Sequence, residues 1–225
     1  MSIRFSQEEF AKLKDLLVIY SCAQKNMKTR LEALEEDFLN RQPYNPIEHI
    51  KDRLKSPESI ASKLNRRGFP LTAQSARDNL FDIVGLRCIC SYARDIFFMA
   101  DVIKRQPDIK VLSTKDYVSS PKKSGYRSYH MIIEVPIYLT SSTEYMPVEI
   151  QLRTQAMDFW ASLEHKVRYK YNFNMPEALS VSLEKCADQI SEIDNRMFLI
   201  QEIADLTNPA SFIENFAGTL KKPTN

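Results

Sequence analysis

The chain has 225 residues, room at roughly 150 per domain for one domain with helical attachments, and 44% hydrophobic with 27% charged residues excludes fibrous or largely disordered character. Lys and Arg number 31 against 29 Asp and Glu, a formal charge of +2, too balanced for a protein whose task is to coat nucleic acid. No apolar run nears the roughly 18 residues of a membrane span, and the first ten residues lack a signal-peptide core, so a cytoplasmic protein with a locally built anion site is expected.

Ser6 followed by Glu9 reads as a capping box, and Phe10, Leu13, Leu17, Tyr20, Met27, Leu31, Leu34 and Phe38 then recur at three- and four-residue intervals, which predicts a long amphipathic helix. Ser56, Pro57 and Glu58 start a short helix that Gly68 should stop. From Val84 to Tyr92 the period changes to two, and residues 110–118, 126–135 and 145–153 are further strand candidates, with an amphipathic helix over 95–104. After Pro176, a second long helix carries Leu179, Leu183, Cys186, Ile190, Ile193, Met197 and Ile200 at helical spacing. The middle is therefore a mixed α/β domain of about four or five strands covered by helices. The terminal stripes pack on that domain or on each other, and any leftover stripe could build an oligomer interface.

The four cysteines, Cys22, Cys88, Cys90 and Cys186, are read as buried free thiols, and His49, His130 and His165 show no zinc spacing. With glycines only at 68, 85, 125 and 218, no glycine-rich phosphate loop exists, so any nucleotide must be held by side chains.

Three clusters suit that task. On a strand, Glu149, Gln151 and Arg153 share a polar face while Val148, Ile150 and Leu152 share an apolar one. Tyr126, Ser128 and His130 align in the same way behind Lys122, Lys123 and Gly125, and an aromatic ring beside lysines fits a base with its phosphates. Arg53, Lys55, Lys63, Arg66 and Arg67 form a basic cluster; Asp82, brought to Glu149, would give a magnesium ion two carboxylates, with phosphates and water completing its shell. Taken singly, each has a plain alternative: a solvated sheet face, a basic turn, a satisfied histidine or a solvated helix face.

Together, the run Asp82-Ile83-Val84-Gly85-Leu86-Arg87, the segment from Lys122 to His130, and Glu149 to Thr154 followed by Met157, Trp160, Ala161, Glu164, His165, Tyr169 and Lys170 resemble the synthetase domain of RelA/SpoT alarmone enzymes. The match spans residues 45–172, leaving helical segments over 1–44 and 173–225, and looks most like the small stand-alone synthetases. Asn45 to His49, with Met157 to Trp160, leans towards the RelP type.

The resemblance implies a nucleotidyltransferase-like synthetase fold and transfer of pyrophosphate from ATP to the 3′-hydroxyl of GDP or GTP, giving AMP and ppGpp or pppGpp, with Mg2+ as cofactor. It implies that Arg53 and Arg87 sandwich adenine, and that Ser59, Lys63, Arg66 and Lys115 meet the ATP phosphates. Asp82 and Glu149 would hold the metal, with Glu149 drawing the proton from the attacking hydroxyl. Tyr126 would stack on guanine, with Lys122, His130 and Gln151 around the acceptor and Asp158 accepting from the guanine edge. It further implies no hydrolase activity, since no His-Asp pair occurs, and a homotetramer, common among stand-alone relatives. The rival reading is a catalytically silent nucleotide- or RNA-binding module of the same fold; RNA binding has no positive signal in the sequence.

Overall fold

The computed structural model describes residues 4–171 and 175–207, so the C-terminal segment 173–225 is described only in part. Helix α1 (Gln7–Arg41) begins where the Ser6 hydroxyl accepts from the Glu9 amide. The reciprocal half of the predicted box is replaced by a tertiary bond, in which the Glu9 carboxylate accepts from the Ala73 amide at 2.8 Å. Leu13, Tyr20, Ala23, Met27 and Leu31 are fully buried on one stripe of α1, which lies across the sheet. Each such side chain removed from water contributes about 1.5–3 kcal/mol, so α1 is part of the core.

Strands β1 (Ile47–Leu54), β2 (Val84–Cys90), β3 (Lys110–Asp116), β4 (Tyr129–Tyr138) and β5 (Thr143–Thr154) form one mixed sheet in the order β1-β2-β5-β4-β3. Only the central pair, β2 and β5, is parallel; it sets Gly85 opposite Glu149 and Arg87 opposite Gln151. Leu86, Cys88, Met131, Ile133, Val148, Ile150 and Leu152 fill the core. The alternate residues of β5 are the polar ones, so a two-residue period delivers Glu149 and Gln151 to the opposite face.

Helix α2 (Pro57–Arg66) starts at Ser56 and ends before Gly68, whose φ of +74° suits glycine, as expected. Helix α3 (Ala73–Asn79) and strand β1 were not anticipated, and α4 (Ala93–Lys104) extends the predicted helix by two residues at its start. The predicted strand over 126–135 is observed at Tyr129–Tyr138 instead. A turn displaces its start: the Gly125 amide donates to the Lys122 carbonyl, and the Lys122 amide to the Tyr126 carbonyl. Ser128 therefore points into the interior, fully buried, and donates to the Leu152 carbonyl, rather than sharing the surface of Tyr126 and His130.

Helix α5 (Gln155–Lys170) is capped by Thr154, whose hydroxyl accepts from Met157 and donates to Asp194 of α6 (Glu177–Thr207) at 2.7 Å. The inner edge of α6, Leu183, Ala187 and Ile190, packs on Trp160, Ala161 and Tyr126, and the Trp160 indole donates to the Leu183 carbonyl. Leu179, Ile193, Met197 and Ile200 of the same stripe face solvent. The expectation of four buried thiols fails in part: Cys88 and Cys90 are buried, Cys22 is half-buried, and Cys186 is exposed on the outer side of α6.

Gly125 is the tightest point of this docking. Its φ is +84°, and an added Cβ would lie 2.5 Å from the Ala187 methyl carbon. Gly125→Ala combines left-handed strain with overpacking and should lower unfolding free energy by about 2 to 4 kcal/mol in denaturant titration. An unchanged midpoint would disprove the tight docking.

Candidate active site

The polar face of the sheet carries two neighbouring clefts that meet at Glu149. One, of about 320 Å³, is lined by Lys63, Asp82, Lys115, Tyr117, Lys122, His130 and Glu149 among others. The second, of about 330 Å³, is lined by Lys51, Arg53, Arg87, Glu149 and Gln151 with the Gly85 backbone. Beyond Arg87 lies a third recess, bounded by Tyr126, Arg153 and the Ala161 to Lys166 face of α5. In the first cleft β3, β4, β5, α2 and the turn before β4 converge, with Lys63, Lys115 and Lys122 on its wall beside two carboxylates.

Asp82 sits two residues before β2. One carboxylate oxygen receives Lys55 Nζ at 2.8 Å and also Lys63 Nζ, while Oδ1 is buried without a hydrogen-bond partner. Burial pushes the Asp82 carboxyl up, but the two lysines outweigh it and hold the group below its ordinary value. A buried oxygen left unpaired is costly, and this one belongs to a cleft with a second acid on its wall.

That second acid is Glu149. His130 Nδ1 lies 3.2 Å from Oε1, and Gln151 Nε2 donates to Oε2 at 2.9 Å. Burial raises its pKa, as does the nearby Asp82 charge, yet the interactions with His130 and Gln151 leave it below the usual carboxylate value. Glu149 is thus held as an anion with lone pairs to spare.

Tyr126 is half-buried, its hydroxyl 2.8 Å from His130 Nε2, and Lys122 Nζ lies 4.8 Å from its ring centroid. Tyr117, which the sequence did not single out, packs edge-on against Tyr126 and His130. Its only signal was an aromatic residue at the end of a β-compatible run.

Not every expected residue lines a cleft. Ser59 and Arg66 are exposed on α2; Ser59 accepts from Ser56 and lies in the first turn, and Arg66 lies in the last. Asp158, expected as a guanine reader, lies with its carboxylate turned to cations of the protein. It is 6% exposed and already engaged: Lys51 donates at 3.0 Å and Arg153 at 3.2 Å, with Arg87 at 3.6 Å. Burial raises its pKa, but these cations outweigh that and hold it ionised. A carboxylate at the start of α5 is pulled inward by the guanidinium five residues earlier, which a helical-face argument does not reveal. Lys55 and Arg153 also belong to the site, through Asp82 and Asp158 respectively, though their place in the sequence pattern assigns neither a role.

Residues 52–174 match the family described as the region found in RelA/SpoT proteins, which is more than half of the chain. The chain belongs to the RelA/SpoT family. Among its relatives, this RelA/SpoT chain is 41% identical to the GTP pyrophosphokinase YwaC of Bacillus subtilis over 192 residues, 85% of this chain and 91% of the relative. It superposes on the small alarmone synthetase 1 of Bacillus subtilis bound to its product pppGpp with a TM-score of 0.79 at 33% identity, covering 85% of this chain and 97% of that one. For small alarmone synthetase 2 of the same organism the TM-score is 0.77 at 41% identity, with 84% and 97% covered. The mixed sheet and long terminal helices of this RelA/SpoT chain are thus those of the small synthetases.

Proposed function

We propose that the joined clefts transfer pyrophosphate from ATP to the 3′-hydroxyl of GDP or GTP, with Glu149 as the base. The chain is a GTP pyrophosphokinase that makes (p)ppGpp; 41% identity to YwaC and the fold shared with a pppGpp-bound synthetase support this. The observation that carries the mechanism is the meeting of Asp82, two residues before β2, and Glu149 of the neighbouring parallel strand β5 on the wall of one lysine-lined cleft.

The donor cleft is the one between Arg53 and Arg87, whose guanidinium planes suit a stacked adenine. Lys63 and Lys115 neutralise the phosphates where this cleft opens into its neighbour, with Ser59 and Arg66 at the two ends of α2 assigned to the same polyanion. On the acceptor side, Tyr126 stacks on guanine while Lys122, His130 and Gln151 hold the sugar and phosphates. In the arrangement observed, Asp158 acts through Arg153, Lys51 and Arg87 rather than on the base.

Glu149 takes the proton of the 3′-hydroxyl as its oxygen attacks the β-phosphorus; the bond from that phosphorus to the α-bridging oxygen breaks, and AMP leaves with the electron pair. In-line placement of two polyanions needs mostly positioning and charge neutralisation, and the residues above supply both. Asp82 and Glu149 also fit a divalent cation. The unpaired buried Oδ1 of Asp82 is a ready ligand. Two carboxylates suit Mg2+, an ion that takes its remaining ligands from phosphate and water. When bound, it would polarise the phosphates and offset their charge.

The same proposal covers a RelP-type enzyme of the cytoplasm, assembled as a homotetramer and lacking hydrolase activity. Among the described residues, no helix is long and apolar enough to cross a membrane. The exposed residues of α6, Ile193, Met197 and Ile200, offer an assembly surface.

Incubation with γ-labelled ATP, GDP and Mg2+ should yield labelled guanosine tetraphosphate and unlabelled AMP. Absence of that product would overturn the mechanism in favour of a silent binding module, and release of pyrophosphate would indicate a different nucleotidyltransfer.

A further inference from the structure

Arg153 is 3% exposed and lies close beneath the acceptor side of the site. Its guanidinium makes four bonds. Nε donates to the Ser128 hydroxyl at 3.2 Å and Nη1 to Asp158 at 3.2 Å. Nη2 donates to both the Tyr126 hydroxyl oxygen, at 2.5 Å, and Gln151 Oε1, at 2.7 Å.

The last two bonds begin two arms that end on the same carboxylate. Along one, Tyr126 lies 2.8 Å from His130 Nε2, and His130 Nδ1 lies 3.2 Å from Glu149 Oε1. Along the other, Gln151 Nε2 donates to Glu149 Oε2 at 2.9 Å. The contacts close into a ring of five side chains, Arg153, Tyr126, His130, Glu149 and Gln151.

The two ends of that ring restrict the direction of its bonds. A guanidinium in a protein only donates, and an ionised carboxylate only accepts. Because Gln151 Oε1 is occupied by the Arg153 donor, its amide nitrogen must face Glu149. Arg153 donates to the phenol oxygen of Tyr126, which leaves the hydroxyl hydrogen free to turn to His130 Nε2, 2.8 Å away. In that arrangement Nε2 accepts, and the imidazole proton sits on Nδ1, 3.2 Å from Glu149 Oε1.

We propose that Arg153 is the positioning residue of the acceptor side: it polarises both arms of the ring, fixes His130 as the Nδ1–H tautomer, and so presents two donors to Glu149. The consequence for catalysis rests on the pyrophosphate-transfer reading; the tautomer does not. With both carboxylate oxygens pinned from the protein side, Glu149 keeps one orientation towards the incoming hydroxyl. Tyr126 is likewise held by its hydroxyl, with the Arg153 guanidinium carbon 5.1 Å from its ring centroid and the Lys122 ammonium 4.8 Å away. The ring therefore prepares stacking surface and base together.

The test is long-range 1H–15N NMR of the histidine rings in the full chain, with the His130 signals identified by their loss in His130→Gln. The parent protein should show the Nδ1–H tautomer. Tyr126→Phe removes one oxygen without emptying the ring position and should convert His130 to a mixture or to the Nε2–H form. In the same variant, acceptor KM should rise, or kcat fall, by about three- to tenfold, the effect of one hydrogen bond, while ATP KM stays within about twofold. Arg153→Lys keeps the charge but loses the fork that serves both arms, and should reproduce the tautomer change with about a tenfold or greater loss in kcat/KM for the acceptor.

An Nε2–H tautomer in the parent, or no tautomer change in Tyr126→Phe, would overturn the proposal. So would equal rises in the KM of both substrates, the mark of a merely structural defect. If the parent made no alarmone yet showed the expected tautomer and its loss, the ring would stand and the reaction assignment would fall.

Discussion

Glu149→Gln is expected to leave both nucleotides bound and to lower turnover by about 10³-fold, within the range of losing a general base. The substitution keeps the volume and one oxygen acceptor, so the neighbouring sheet residues have no reason to repack. Among the described residues it removes the one carboxylate that lies on both main clefts, which His130 and Gln151 hold as an anion. An amide cannot take a proton from a sugar hydroxyl at neutral pH, and it brings a donor to a place already occupied by donors. Initial rates of guanosine tetraphosphate formation, beside calorimetric titration of each nucleotide, separate chemistry from binding. Product formed at near the parental rate would remove Glu149 from the mechanism.

Asp82→Asn should cost about 100-fold or more in rate, partly restored by raising Mg2+. The change removes one of two carboxylates from the cleft and leaves Lys55 and Lys63, which now share it, facing each other without their counterion. Lys63 would then be freer to follow the phosphates, but the oxygen best suited to a cation would belong to a neutral amide. Losing one partner of a largely buried pair also destabilises the fold, so melting curves must accompany the rates. A variant that stays folded, turns over at the parental rate and keeps the same Mg2+ dependence would show that Asp82 holds no metal.

Much of this site was legible because β5 is a strand with one wet face. The two-residue period that sends Val148, Ile150 and Leu152 into the core brings Glu149 and Gln151 to the clefts, and local alternation is a short-range property. The capped helix α2 and the terminal helices were legible for the same reason. β1 was not, because Ile47-Glu48-His49-Ile50-Lys51-Asp52-Arg53-Leu54 has no clean alternation and takes its strand form from pairing with β2. The seven residues of α3 are too few for helical periodicity to emerge.

Arg153 and Asp158 mark the deeper limit. A charged residue on a polar strand face looks solvent-facing until the tertiary structure supplies its partners, and those of Arg153 come from a turn, its own strand and the next helix. The inward pull on Asp158 is likewise a three-dimensional fact. Spacing could place both residues near the chemistry but could not decide which of them would be buried.

The contact between Gly125 and Ala187 makes the turn bearing Lys122 and Tyr126 and the long C-terminal helix mechanically one body. Any event that shifts this helix, including contact with another molecule along its bare hydrophobic edge, must also displace the turn that carries Tyr126. Linkage requires the converse in equal measure: a nucleotide that stiffens that turn strengthens or weakens whatever grips the helix by the same factor.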